Sequence, residues 1–193
     1  VQNGGPAPEA VTNKIYELTT KIDHYFLQQG DDVDLSQVGA ASFGDLQIDV
    51  IDPIKDYVDY LATIFDFDLI KSFLSSGQFK VRFDALHGVT GPYARALLVE
   101  RFGLPDDAVQ NWVPKPDFGG GHPDPNLTYA KSLVDAMKSE GLNFGAASDG
   151  DGDRNMILGK DAFVNPSDSV AIIADWAAVS YTHLRAHETE ADL

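Results

Sequence analysis

Cysteine is absent from the 193 residues, which excludes a disulfide framework and any thiolate metal site and is compatible with a reducing compartment. Positive charge is scarce. Fourteen Lys and Arg stand against thirty Asp and Glu, a formal net charge of −16, which argues against broad binding to nucleic acid or to anionic membranes. Any phosphate recognition must therefore be local. Long apolar runs are lacking too: Ser169 to Ala174 is short and Asp175 follows it, far from the roughly 20 residues a membrane helix needs. Neither a GxGxxG fingerprint nor a Walker lysine occurs, so nucleotide binding has little support. There is no repeat at solenoid spacing and no low-complexity tract. The chain starts at Val1 without methionine or a signal-peptide pattern, and it reads as starting within a longer protein, which leaves room for a targeting segment upstream.

What is present concentrates in one place. Asp149-Gly150-Asp151-Gly152-Asp153-Arg154 sets three carboxylates at every second position, with glycines between them and an arginine directly after. Two like charges about 4 Å apart repel by roughly 4 kcal/mol at an effective dielectric near 20, so converging three carboxylates without a cation is costly. Glycines let a short loop turn tightly enough to aim side chains that would otherwise alternate faces. Oxygen-only ligands favour a hard ion, Mg²⁺ before Ca²⁺, over zinc. An EF-hand starting at Asp149 would need glycine and glutamate where Arg154 and Lys160 stand, which argues against that calcium loop. The competing reading is a solvated acidic turn with Arg154 paired to an aspartate.

A hydrophobic content of 44% suffices for one good core and part of another domain. Val11, Ile15, Leu18, Ile22 and Phe26 predict an amphipathic helix from about Pro8 to Gln28, and Leu46, Ile48 and Val50 alternate as a strand. A boundary falls at Asp52-Pro53. Beyond it, periodicity predicts helices around Val58 to Phe65, Asp68 to Leu74, Pro92 to Phe102 and Ala130 to Met137, the last capped by Asn126. Strands are predicted at Phe79 to Phe83, Val109 to Val113, Asn143 to Ala147 and Asn155 to Leu158. This alternation argues for a layered α/β domain, and the acidic loop then sits at strand ends, where ligands of α/β sheets often bind.

Two further segments merit comparison with that loop. Gly119-Gly120-Gly121-His122-Pro123-Asp124-Pro125-Asn126 is either an active-site loop or a rigid connection, and His122 alone fits a structural histidine better than a base. His87-Gly88 to Gly91 follows a strand and opens a helix, where free N–H groups can meet an anion, but a tight strand-to-helix turn explains it better. Asp31, Asp32 and Asp34 read as a solvated loop, His183 and His187 as tail residues without a ligand role, and Phe65, Phe67, Trp112 and Trp176 as core.

Gly145 to Gly159, Phe118 to Ala130, Phe83 to Gly88 and Asn3 to Glu9, taken together and in this order, closely resemble eukaryotic-type phosphoglucomutase, a branch of the phosphohexomutases. The resemblance runs from about Val1 to Ala178. It implies an α/β fold with a layered mixed sheet and helices on both sides. Residues 1–52 would be the C-terminal part of domain 1, residues 53–179 domain 2, and residues 180–193 an out-of-family tail without regular structure. It also implies interconversion of α-D-glucose 1-phosphate and glucose 6-phosphate through a phosphoserine and glucose 1,6-bisphosphate, in a cytoplasmic or plastid enzyme that is monomeric and acts on a sugar phosphate without nucleic-acid or membrane partners. Asp149, Asp151 and Asp153 would ligate Mg²⁺, and Arg154 would face the phosphoryl group or the sugar phosphate. The flanking Gly-Gly-His-Pro-Asp-Pro-Asn run favours glucose over mannose or glucosamine phosphates. The family's Ser-His-Asn-Pro loop does not occur here, so the chain reads as a fragment without its nucleophile, inactive alone. Two alternatives are a phosphatase with an aspartate nucleophile in Asp149-Gly-Asp151, and a non-catalytic domain that binds a divalent ion.

Overall fold

The computed structural model describes residues 5–185, with side chains through residue 176. The chain divides into two units, Val1–Ile51 and Asp52–Leu193.

In the first unit, α1 spans Glu9–Thr19, and a hairpin pairs β1, Gly39–Phe43, with β2, Leu46–Val50. The helix stops well short of the predicted Gln28. Thr19 and Thr20 turn their hydroxyls back onto the carbonyls of Tyr16 and Glu17, at 2.7 and 2.8 Å, which offers the backbone another way to end its last turn. Past that point Ile22 and Phe26 lie exposed in irregular chain. β1 is not foreseen by sequence pattern, since Gly39-Ala-Ala-Ser-Phe43 has no β-branched residue. It pairs because the turn at Gly44, with φ of 58°, brings the chain back along β2.

The second unit alternates helix and strand as predicted. α2, Pro53–Ile64, starts at Asp52, whose carboxylate accepts the N–H groups of Ile54 at 3.0 Å and Lys55 at 3.3 Å, with Pro53 at the first helical position. α3, Phe67–Ser75, starts in the same way at Asp66, which accepts the Leu69 N–H. β3, Val81–Asp84, follows, then α4, Gly91–Arg95, which continues as a π-helical turn over Ala96–Arg101. β4 is only Val109–Gln110; the predicted strand to Val113 is cut short because Asn111 adopts φ of 51°. α5 is Lys131–Ser139, preceded by a turn in which Asn126 Oδ1 accepts the N–H groups of Thr128 and Tyr129, so the predicted cap acts one turn ahead of the regular helix. β5, Phe144–Ser148, and β6, Asn155–Gly159, bracket the acidic loop, and β7, Ala162–Val164, follows.

The sheet runs β4-β3-β5-β6-β7, with β3 parallel to both β4 and β5, while β5–β6 and β6–β7 are antiparallel. Period-two alternation assigns its faces. Ala147 of β5 with Met156 and Leu158 of β6 pack against Ala130 and Leu133, so α5 covers one face. On the other side Val81 joins Phe67, Leu74 and Phe102, flanked by Val58, Leu61, Leu97 and Leu98, so α2, α3 and α4 cover the opposite face. The fold is therefore a mixed sheet between helical layers.

α6 spans Pro166–Arg185. It runs into the segment from Ser180 expected to lack regular structure. That stretch up to Arg185 has no glycine or proline, and extending an existing helix is far easier than nucleating one. Residues 186–193, with His187 and the remainder of the tail, lie outside the described residues.

Candidate metal and phosphate site

The parallel strands β4, β3 and β5 all end on the same edge, and the loops after them, residues 111–130, 85–90 and 149–154, supply the site. Ser148 and Asn155 still pair across the hairpin, and the Asp149 N–H donates to the Arg154 carbonyl at 3.2 Å, closing the base of the loop. Asp149 then acts as an internal template. Its Oδ1 accepts the N–H groups of Gly152 at 2.9 Å and Arg154 at 3.0 Å, and its Oδ2 accepts Arg154 Nε at 2.9 Å. Gly152 takes φ of 85°, a conformation that a side chain would strain.

Carboxylate oxygens of Asp149, Asp151 and Asp153 all lie within 4.8 Å of one another, the three-carboxylate convergence that the spacing predicted. Their electrostatics are unequal. Burial pushes the Asp149 carboxyl up, but the combined hydrogen bonds from the Arg154 backbone and side chain and from Asp153 and Asp151 outweigh it and hold the group at about 2. Asp153 is raised, first by its contact with Asp149 and then by the charges of Asp151 and Asp149. Arg154 is raised chiefly by its bond to Asp149. An all-oxygen cluster of this kind could hold a hard divalent cation, which would relieve the repulsion at its exposed end.

Two neighbouring loops buttress this one. Gly88 sits so close that a Cβ there would stand 2.8 Å from the Gly150 carbonyl oxygen and 2.9 Å from that of Asp149, and the Val89 N–H donates to Gly150 O at 3.0 Å. The Gly88, Val89 and Gly91 N–H groups all donate to protein carbonyls, so the His87–Gly91 segment is a tight turn against the acidic loop. Its geometry is set by Asp84, wholly buried at the end of β3, which accepts from the Leu86 N–H, Asn111 Nδ2, Gln110 Nε2 and Ser132 Oγ. Those bonds hold Leu86, His87 and Asn111 in or beside left-handed conformations that non-glycine residues rarely adopt. On the other flank, the Phe118 ring lies over Gly150, where a Cβ would meet it at 2.8 Å.

Sequence reasoning missed Asp84 and Asp124. Asp124 Oδ1 accepts Arg154 Nη1 at 2.9 Å, so the proline-flanked run does reach the site, through its aspartate. His122 instead packs at a tilt against Tyr129, with ring centroids 4.1 Å apart. His87 Nδ1 is 2.9 Å from the Val113 carbonyl oxygen, within the loop scaffold. Of the aromatic residues read as core, Phe67 is buried, whereas Phe65 and Trp176 are exposed and Trp112 lies at the surface against the Arg95 guanidinium, because their helices and loops turn those positions outward. A groove of about 670 Å³ borders this loop, lined by Phe83, Ala146 and Ile157 of the sheet together with Thr90, Asp151 and Arg154.

An α/β/α layering with an acidic, arginine-terminated loop at the strand ends is the arrangement of a phosphohexomutase domain. Residues 55–162 match the family described as phosphoglucomutase/phosphomannomutase, alpha/beta/alpha domain II. The chain belongs to this family. It is 58% identical over 176 residues to phosphoglucomutase of Schizosaccharomyces pombe, a match covering 91% of this chain and 32% of that protein. It is 52% identical over 185 residues to chloroplastic phosphoglucomutase of Arabidopsis thaliana, covering 95% of this chain and 30% of that protein. Among solved structures it resembles the open form of the Paramecium exocytosis-sensitive phosphoprotein parafusin, a phosphoglucomutase, with a TM-score of 0.77 and 42% identity over 90% of this chain and 34% of that one. The chain thus spans about a third of the length of the relatives it matches.

Proposed function

We propose that this chain is a segment of a phosphoglucomutase that interconverts α-D-glucose 1-phosphate and glucose 6-phosphate, and that Asp149, Asp151 and Asp153 hold its Mg²⁺. The observation that carries the metal assignment is the convergence of three carboxylates within 4.8 Å on a loop whose outer member is electrostatically strained. Names and identities of the relatives support the reaction. On this reading residues 1–52 end domain 1, residues 53–179 form domain 2, and the reaction passes through glucose 1,6-bisphosphate and a phosphoserine carried elsewhere in the parent. The compartment is the cytoplasm or a plastid. Chloroplastic enzymes stand among the relatives, and no helix of the described residues is long and apolar enough to cross a membrane.

Bound Mg²⁺ supplies Lewis-acid polarisation of a phosphoryl oxygen. The chain's own residues do the positioning. Asp149 fixes the loop by accepting three N–H groups, and Asp151 and Asp153 present exposed oxygens on the same side. Arg154 would offer planar donors to developing phosphoryl charge. Phosphoryl transfer needs little more from a protein than such placement and charge. The aspartate-nucleophile phosphatase is not favoured by relatives that are phosphoglucomutases by name. A purely non-catalytic ion-binding domain is not favoured by relatives that are enzymes by name.

The test is an assay of glucose 1-phosphate conversion by the full-length parent carrying Asp151→Ala. Loss of most activity is expected, and near-normal turnover would refute the metal assignment. The 193-residue chain alone is expected to show no turnover.

A further inference from the structure

We propose that Asp124 is the positioning residue that aims the Arg154 guanidinium, and that the Phe118–Asn126 run is a strap built to hold it. This inference rests on the phosphate-facing role proposed for Arg154. The arginine side chain is 61% exposed, yet it is held at two atoms that face different loops: Nε by Asp149 Oδ2 and Nη1 by Asp124 Oδ1, both at 2.9 Å. An arginine gripped by Asp149 alone would be free to pivot about that one bond; the second grip, from a residue 30 positions away, sets the plane of the guanidinium. Nη2 has no hydrogen-bond partner among the described residues, which leaves that nitrogen for a phosphate oxygen.

Asp124 is itself well fixed. Its Oδ2 accepts Asn126 Nδ2 at 2.7 Å, its N–H donates to the His122 carbonyl at 2.9 Å, and its own carbonyl accepts the Asn126 N–H at 2.9 Å. Pro123 and Pro125 restrict the backbone on either side. Asn126 also accepts from Thr128 and Tyr129 at the turn leading into α5, so the carboxylate is referred back to the body of the domain. The strap meets the acidic loop a second time, where Phe118 and Pro123 lie against Gly150. Two contacts on one loop, one apolar on Gly150 and one charged on Arg154, fit a device that sets loop and guanidinium together.

The experiment uses the 193-residue chain, its Asp124→Asn and Arg154→Lys variants and the double variant. Three readouts separate the ideas: the Arg154 Nε–H signal by NMR, Mn²⁺ affinity by calorimetry, and inorganic phosphate affinity in saturating Mn²⁺. In Asp124→Asn the Nε–H signal should shift and exchange faster, phosphate should bind roughly three- to fivefold more weakly, as expected for a largely exposed charge pair, and Mn²⁺ affinity should change less than twofold. Asp124→Asn should cost nothing further once Arg154 is lysine, since the effect passes through the guanidinium. An unmoved Nε–H signal with unchanged phosphate affinity would overturn the proposal, as would additive losses in the double variant. Failure of every form to bind Mn²⁺ would defeat the metal reading instead, and a moved Nε–H signal in that case would still support the strap.

Discussion

Replacing Gly88 with alanine probes the packing of the turn after β3 on the acidic loop. Gly88 is not in a left-handed conformation, so alanine is conformationally acceptable there and the effect is steric. The new Cβ would stand 2.8 Å from Gly150 O and 2.9 Å from both Asp149 O and Gly150 Cα. All three are backbone atoms and none can swing aside. To restore ordinary contact the acidic loop must recede by about half an ångström, and overpacking of this kind costs about 1–3 kcal/mol. The contact falls on Asp149 and Gly150 and not on Asp151 or Asp153, so the three carboxylates are displaced unequally, and a movement of this size exceeds the roughly 0.2 Å tolerance of a metal site. Urea unfolding of the metal-free chain should therefore show the stability loss, and calorimetric titration should show Mn²⁺ affinity at least about tenfold weaker, as when the outer-shell support of a metal ligand is disturbed. A variant within about 0.5 kcal/mol of the parent chain in stability and equal to it in Mn²⁺ affinity would refute the reasoning.

Other expectations follow from the same geometry. Leu133→Ala empties the fully buried centre of the α5 face and should cost about 2–5 kcal/mol in urea unfolding, with a cost below about 1 kcal/mol contradicting the assigned core. Asp52→Ala removes the cap that accepts the Ile54 and Lys55 N–H groups and should cost about 1 kcal/mol, read in the same way. The depressed Asp149 carboxyl contributes stability that is complete above its ordinary value of 3.8 and is lost as pH falls towards about 2, so an acid titration of unfolding should lose stability in this window and the loss should shrink in Asp149→Asn. Asp153 works in the opposite sense, its raised carboxyl being relieved by protonation, so Asp153→Asn should stabilise the metal-free chain at neutral pH; a destabilised variant would contradict the repulsion assigned to it.

How much of this was legible in the sequence varies with the range of the interaction. α2 and α3 carry their own stripes and aspartate caps, and β5, the acidic loop and β6 form one contiguous hairpin, so local pattern sufficed for them. β1 and β7 are short, weakly patterned strands that exist because a neighbour pairs with them. α1 shows the converse, a stripe running past the point where threonine hydroxyls end the helix. Within the site, the three aspartates and Arg154 were visible because they share six residues. Asp84 and Asp124 were not, because an aspartate before Ala-Leu-His or between two prolines has the appearance of ordinary turn chemistry. Only the fold brings Asp124 to Arg154 and surrounds Asp84 with Gln110, Asn111 and Ser132. The acidic loop announced a site; its supporting residues required the sheet edge to be assembled.

The central claim is that Asp149, Asp151 and Asp153 hold a divalent ion, and the most direct measurement is a calorimetric titration of Mg²⁺ or Mn²⁺ into this chain and into its Asp151→Ala variant near neutral pH. The account predicts binding of one ion per chain that is lost in the variant. Binding that survives Asp151→Ala unchanged, or no binding by a parent chain shown to be folded by circular dichroism, would contradict it.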